Sequence, residues 1–467
     1  MNSLKSGASL RRRANCLLLA IWVIACATAS AQADAVEPDS SNQRLDEVAS
    51  SFTKDNAFMG AVLVAKGPTV LLDKGYGKAV VEWNIPNSPD VKFRIGSMTK
   101  QFTAALVLLA QEEGKLSVND PIRKYLPDSP PAWEKITIAD LLHHTSGIPN
   151  FIFDKRYFEW RMVSHTPAEE VTLFNDKPLN FSPGTQWEYS NSNYTLLGMM
   201  LEKVTGRRYG DLLRERILAP LGMKDSGLDD DDLILPERAE GYQPGAKGIV
   251  PVRSLSMSVG WATGSMYSTT RDLLRWEQAL FGGKVLSASS LKQMTTPGKG
   301  NYGSGVFVSR KDDIEVVEHG GSIDGFNSYM SYVPARNITV IVLSNVSGDA
   351  PDKIAAKLLD VALGKQVTLA KPRIALPISR AELSKFVGDY EISAQLSLKI
   401  TASDEGLIVQ ASGQPPLLFL YEGEINGHPQ FFTRAMDVQI EFIPTSSDHI
   451  STLILHLGGG AMQGRRQ

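Results

Sequence analysis

Apolar strand-like runs alternate with glycine from residue 60 to 83, in "GAVLVAKGPTVLLDKGYGKAVVEW". Such runs with turn residues at the breaks predict an antiparallel hairpin or meander, so the folded body opens on a β-sheet. Further on the pattern changes. Met98, Phe102, Ala105, Leu106 and Leu109 recur at helical spacing, "AALVLLA" is apolar on every side, and Gly114 ends the run. This predicts a buried helix over 98–113. From about 137 to 285, helical segments such as "TIADLLHHTSGIP" and "YTLLGMMLEKVTG" are broken by Gly and Pro. Strand patterns return between 305 and 345 in "GVFVSR", "IEVVEHGG", "FNSYMSYVP" and "ITVIVLSN". Strands at both ends with helices between them predict an α+β domain: one antiparallel sheet assembled from distant segments, flanked by helices, with an all-helical insertion.

Near residue 366 the pattern shifts again. "QVTLAKPRIALPISR" sets two prolines among polar residues and reads as a linker over 366–379. Beyond it, "QLSLKIT", "GLIVQAS", "PLLFLYEG", "VQIEFIPT" and "TLILHLGG" are short alternating runs. They predict a small all-β domain over 380–467, barrel-like if its edges close. A chain of 467 residues exceeds what one core usually serves, in keeping with two folded units.

Composition adds little to this picture: 43% hydrophobic and 21% charged residues are ordinary for a globular protein and argue against extensive disorder. The amino-terminal segment adds more. Arg11, Arg12 and Arg13 precede the apolar run "CLLLAIWVIACA" and the small residues of "ATASAQADA", the layout of a signal peptide over 1–33. The run is short for a transmembrane span, so the mature chain is expected to have none and to be periplasmic or secreted. Cleavage after Ala29, Ala31 or Ala33 fits equally, and "VIAC" also resembles a lipoprotein box that would anchor the chain at Cys26. Cys16 and Cys26 are the two cysteines and both lie in this segment. A chain cut beyond it has no disulfide, thiolate ligand or cysteine nucleophile. Losing Lys5 and the three arginines, with no acid before Asp34, takes the formal charge from −3 to −7 and disfavours a nucleic-acid partner.

Candidate chemistry centres on "FRIGSMTKQF", where Ser97 and Lys100 stand three positions apart. The spacing alone is weak, since Ser51/Lys54 and Ser289/Lys292 repeat it. Only Ser97 follows a β-rich stretch and opens a long apolar helix, whose free N–H groups favour developing negative charge. Residues i and i+3 share a helix face, so the amine can reach the hydroxyl and act as the base a serine nucleophile needs. The competing reading of Ser97 is a helix cap. In "FSPGTQWEYSNSNYTLLG", Tyr189 and Asn191 stand between a Pro-Gly turn and an apolar helix. Tyr189 can shuttle a proton if a neighbouring ammonium lowers its pKa, and Asn191 offers an amide to a substrate carbonyl. In "EHGGSIDGF", His319 ends an apolar strand and is followed by Gly320 and Gly321, which let another group approach the backbone closely. Singly, each has a bland reading as a turn or core residue.

Together these residues carry a resemblance. Ser97/Lys100, Tyr-Ser-Asn at 189–191 and His-Gly-Gly at 319–321 occur in the order, and with roughly the spacing, of the three motifs of the class C β-lactamase and penicillin-binding-protein-like serine hydrolases. "ITIADLLHHTSGIPN", "ILAPLGMKDSG" and "MYSTTRDLLRW" look like segments of the same family, and the likeness spans roughly 42–365 within a hydrolase domain taken as 34–365. The region after the linker resembles the lipocalin-like β domain that often follows it. The resemblance implies a nucleophile at Ser97, assistance from Lys100, proton transfer by Tyr189 and substrate binding by Asn191, His319, Gly320, Gly321 and Ser322. It also implies an oxyanion hole from the N–H groups of Ser97 and Ser322, and no cofactor or metal. True β-lactamases typically carry Lys-Thr-Gly at the third motif. With His319 there, a carboxylate loses a fixed positive partner. That shifts the expected substrate from β-lactams toward small esters, amides or short D-amino-acid peptides of possible cell-wall origin, the reactions of D,D-carboxypeptidases, D-aminopeptidases and esterases.

Three other readings compete. An α/β-hydrolase is disfavoured because no Gly-x-Ser-x-Gly occurs. Metal-dependent hydrolysis lacks a His-Glu-x-x-His pair, and His143 and His144 read as loop packing. A penicillin-binding sensor with little turnover would carry the same three motifs.

Overall fold

α1 (Ser40–Ser50) leads into β1 (Gly60–Lys66), which turns at Gly67 into β2 (Thr69–Tyr76). The structure, a computed structural model, describes residues 40–54, 58–245, 248–253, 255–370, 373–393, 396–412, 416–434, 438–445, 450–457 and 460–467. The export segment with Cys16 and Cys26 lies outside the described residues. The next four strands of the main sheet come more than two hundred residues later: β3 (Phe307–Lys311), β4 (Ile314–Ile323), β5 (Phe326–Val333) and β6 (Ile338–Ser344). β6 pairs with β1 from Gly60↔Ser344 to Lys66↔Ile338, closing an antiparallel six-stranded sheet in the order β3-β4-β5-β6-β1-β2. The sheet assembled from distant segments is thus the one its strand patterns predict.

Both faces of this sheet are covered, which is why β1 and β6 read as unbroken apolar runs. Ala61, Leu63, Ile341 and Leu343 face one core, together with Phe102 and Trp276. Val62, Val64, Val340 and Val342 face a second core, with Leu45 and Val48 of α1. Between β2 and β3 lies the helical region, beginning with α2 (Thr99–Glu112) and containing α3 (Asn191–Thr205) and α4 (Thr270–Phe281). Short strands interrupt it, such as Met266–Ser268, which pairs with Phe93–Arg94. α2 is buried almost throughout and stops at Gly114, whose φ of 68° suits a residue without Cβ. α4 stacks Trp276 on Phe102 of α2 at 4.2 Å between ring centroids. On the opposite face α5 (Ala350–Ala362) supplies Ile354, Ala355 and Leu358 to the second core.

After α5 the chain is pinned at both ends of its linker: Ala370 N–H donates to Ser51 Oγ at 3.2 Å, and Leu376 N–H donates to Tyr421 O at 2.8 Å. Residues 388 to 466 then form eight antiparallel strands that close into a barrel, the last strand meeting the first at Tyr390↔Arg466. Inward-facing side chains fill it with a core of its own, in which Phe442 lies 4.6 Å from Phe386 and 5.6 Å from Phe431.

Candidate active site

Ile95 N–H donates to Met266 O at 2.9 Å, and the chain then turns through Gly96 at φ 52° into a single 3-10 turn, Gly96–Met98, that runs into α2. Ser97 therefore stands just ahead of the α-helix. No side-chain cap bond is made at the start of either helix, and the hydroxyl that bonds back to Gly96 O is that of Thr99, at 2.7 Å. The cap reading of Ser97 does not hold. Ser51, in the repeated spacing, is by contrast a structural residue whose hydroxyl donates to Val48 O at 2.7 Å.

Two glycines bring β4 against this turn. A Cβ on Gly96 would stand 2.7 Å from Ser322 N, and one on Gly321 would stand 1.9 Å from Ile95 O. Neither contact is tolerable, so both positions demand glycine. Ser328 Oγ on β5 locks the junction by donating to Ile95 O at 2.8 Å. The backbone of Ser322 thus passes beside the backbone of Ser97.

Lys100 projects from the first turn of α2 and is fully buried. Its Nζ lies 2.8 Å from Asn191 Oδ1, 2.8 Å from Thr263 O and 3.1 Å from Ser97 Oγ. Burial holds its pKa well below the ordinary lysine value. A neutral amine has two N–H donors and one lone pair. The two carbonyl oxygens only accept and take both donors, which leaves the lone pair for the Ser97 hydroxyl proton.

Asn191 opens α3, and its orientation is set by Asn150: Asn191 N–H and Nδ2 donate to Asn150 Oδ1 at 3.2 and 3.3 Å, while Asn150 Nδ2 donates to Tyr189 O at 3.4 Å. The Asn191 amide is therefore committed to Lys100 and Asn150. Tyr189 departs from expectation. Its ring centroid lies 4.9 Å from Lys100 Nζ, yet burial pushes its pKa up, opposed only in part by the nearby Ser97. A neutral Lys100 supplies no ammonium to lower it. The Tyr189 hydroxyl stays protonated and is shielded from solvent, with Ser97 beside it.

His144 supports the tyrosine from behind, its ring 4.4 Å from that of Tyr189. Its Nδ1 accepts from Ser190 N–H at 3.3 Å and Asn193 Nδ2 at 3.1 Å, and burial lowers its pKa. His319 is buried as well. Its Nδ1–H donates to Gly320 O at 2.5 Å, so Nε2 is the acceptor and takes the Tyr302 hydroxyl at 3.1 Å. Burial is the main cause that brings its pKa down to about 3, and an ammonium at Lys100 would act in the same direction. The imidazole is neutral at physiological pH, with both nitrogens engaged. Asn150, Tyr302 and the Thr263 carbonyl are the supports that the motifs do not contain.

Ser97 borders two hollows. One, of ≈ 770 Å³, is walled by Phe151, Ile152, Tyr157 and Phe158 and touches Asn191, with Arg161 paired to Asp324 at 3.0 Å on its rim. The other, of ≈ 500 Å³, is walled by Tyr189, Phe307, His319 and Tyr329. A substrate carbonyl between them would meet a serine hydroxyl, a neutral amine, a protonated phenol and the backbones of Ser97 and Ser322, the parts of a two-step acyl transfer.

A family model described as Beta-lactamase matches residues 45–365. The chain is 28% identical over 457 residues to a penicillin-binding protein of Bacillus subtilis, an alignment covering 91% of this chain and 98% of that one. Among solved structures it is similar to the octameric penicillin-binding protein homologue from Pyrococcus abyssi, with TM-score 0.63, 25% identity, and coverage of 90% of this chain and 99% of the other. It is also similar to the D-amino acid amidase of Ochrobactrum anthropi solved with D-phenylalanine, with TM-score 0.64, 26% identity, and coverage of 70% and 99%.

Proposed function

The chain belongs to the beta-lactamase family and is a serine hydrolase, and from that premise we propose that it is exported and works through an acyl-enzyme on Ser97, cleaving small esters, amides or D-amino-acid peptides. The observation that carries the reading is the buried Lys100 amine, with its pKa lowered and Ser97 Oγ 3.1 Å away. In this account Lys100 takes the Ser97 proton as Oγ attacks the carbonyl. The oxyanion forms between the N–H groups of Ser97 and Ser322. Tyr189 gives its proton to the leaving group as the acyl bond breaks, and the Lys100 ammonium reprotonates the phenolate. In the second half a water attacks the acyl-enzyme, its proton passes to Lys100, and Ser97 recovers one on release.

Two features favour esters and amides over β-lactams. His319 is neutral and already bonded on both nitrogens, so it brings no fixed positive charge to a carboxylate. The similarity to a D-amino acid amidase points the same way. Export rests on the basic and apolar layout of residues 11–33. The test offers mature protein and its Ser97→Ala variant a penicillin, a short aryl ester and a D-alanyl amide, with consumption followed by mass spectrometry. The expected outcome is Ser97-dependent loss of the ester or the amide at a higher kcat/KM than the penicillin. Equal consumption by the Ser97→Ala protein would overturn the reading.

A further inference from the structure

The smaller hollow beside Ser97 carries two carboxylic acids and neither Lys nor Arg. Glu318, one residue before His319, and Asp352, in the first turn of α5, both line it, and no Lys or Arg is among the residues that do. Asp352 stands directly across from the third motif: a Cβ on Gly320 would lie 3.9 Å from its Oδ1. Partial desolvation at the cavity wall, with Asp349 and Glu318 behind it, pushes the Asp352 carboxyl up from its ordinary value. The cation next to it in sequence, Lys353, is bound to Asp349 at 3.0 Å. Glu318 accepts from neutral donors, Ser309 Oγ at 2.7 Å and the Tyr329 hydroxyl. The negative charge facing the cavity is uncompensated from within it.

A second observation says what occupies this space. Tyr189 lines the same cavity, its hydroxyl shielded from solvent and beside Ser97, while Asn191 lines the other. On the acyl-transfer reading proposed above, Tyr189 donates to the departing atom. The leaving group therefore lies against Glu318, His319 and Asp352, and the acyl portion lies in the aromatic hollow.

We infer that the hollow bounded by Glu318, His319 and Asp352 is a leaving-group subsite that accepts an ammonium-bearing or neutral amine or alcohol and rejects one bearing a carboxylate. In cleavage the acyl–nitrogen or acyl–oxygen bond breaks, the leaving atom takes the Tyr189 proton, and the released group meets two carboxylates. A released D-amino acid would set a third carboxylate against them, beside a neutral imidazole. The enzyme is accordingly an amidase or esterase toward uncharged and cationic leaving groups and not a carboxypeptidase. This goes beyond the acyl-transfer reading and rests on it.

The test uses three D-phenylalanyl amides that differ only in the leaving group: D-alanine, D-alaninamide and 1,2-diaminopropane. kcat/KM is measured for each at pH 7 with wild-type protein, with the Asp352→Asn/Glu318→Gln double variant and with Ser97→Ala. Wild type should prefer ammonium to amide to carboxylate, with roughly tenfold or more between the ends, as expected for charges a few ångströms apart near a protein surface. The double variant should compress that ratio to within about threefold, and added salt should narrow it in wild type. Because the readout is a ratio within one preparation, partial misfolding of the variant leaves it intact. A carboxylate substrate that matches or exceeds the others, or an order that the double variant leaves unchanged, would overturn the subsite while leaving Ser97 chemistry standing. Absence of Ser97-dependent cleavage of all three would overturn both together.

Discussion

Lys100 concentrates the chemistry of the site in one residue. Removing its amine from water costs the charged form most, and two carbonyl acceptors then orient the neutral form toward Ser97. Activity should therefore fall as pH drops through the lowered Lys100 pKa and persist at neutral pH, where an ordinary lysine would be fully protonated and inert as a base. Lys100→Arg keeps a basic side chain of similar length but has no neutral form at any working pH. It should lose about 10²- to 10⁴-fold in kcat while its circular dichroism matches wild type. Retention of more than a tenth of the activity would remove Lys100 from the base role. The serine–lysine pair is legible from sequence because i and i+3 on a helix share a face. Its supports are not. Thr263 presents a backbone carbonyl that any residue could supply, and Tyr302 reaches His319 through a tertiary contact with no periodic signature. The direction of the Tyr189 shift was also hidden, since it is set by burial in the folded site.

Among the elements, the six-stranded sheet was readable because β1 and β6 are apolar along nearly their whole length, the mark of strands covered on both faces, and because shorter apolar runs recur in β3, β4 and β5. The short strands among the helices were not, because two or three residues such as Phe93–Arg94 and Met266–Ser268 are too few to show a period. α4 contains a feature that no pattern announces: Glu277, 3% exposed, with Oε2 unpartnered and a pKa pushed up to about 8 by burial. The folded state holds this proton where the unfolded chain has released it, so the contribution to stability is present below pH 4.5 and is lost as pH rises toward 8. Glu170, also raised to about 8, adds a second share of the same sign. Glu277→Gln keeps the shape and cannot ionise. In urea titrations at pH 5 and pH 8, the variant should lose less stability between the two than wild type does, by an amount on the order of 1–3 kcal/mol. Equal losses would mean that Glu277 ionises in place without cost.

At the scale of the whole molecule, the barrel and the hydrolase body each have a core of their own, joined by the linker pinned at Ser51 and Tyr421. Damage to one should then spare the other. Phe442→Ala removes a ring packed among Phe386, Tyr390 and Phe431 and should cost the barrel about 3–5 kcal/mol, read as a lower first transition in calorimetry, with kcat/KM unchanged below it. A proportional fall in activity would mean that the barrel holds the cleft in shape. Above both units stands the claim that this chain transfers acyl groups through Ser97, and the most direct measurement is the intact mass of the protein quenched in acid during turnover of an aryl ester. Wild type should gain the mass of the acyl group, located by peptide mapping on Ser97, and lose it again as substrate is exhausted, while Ser97→Ala gains nothing. Turnover with no Ser97 adduct at any quench time, together with undiminished hydrolysis by Ser97→Ala, would contradict the account.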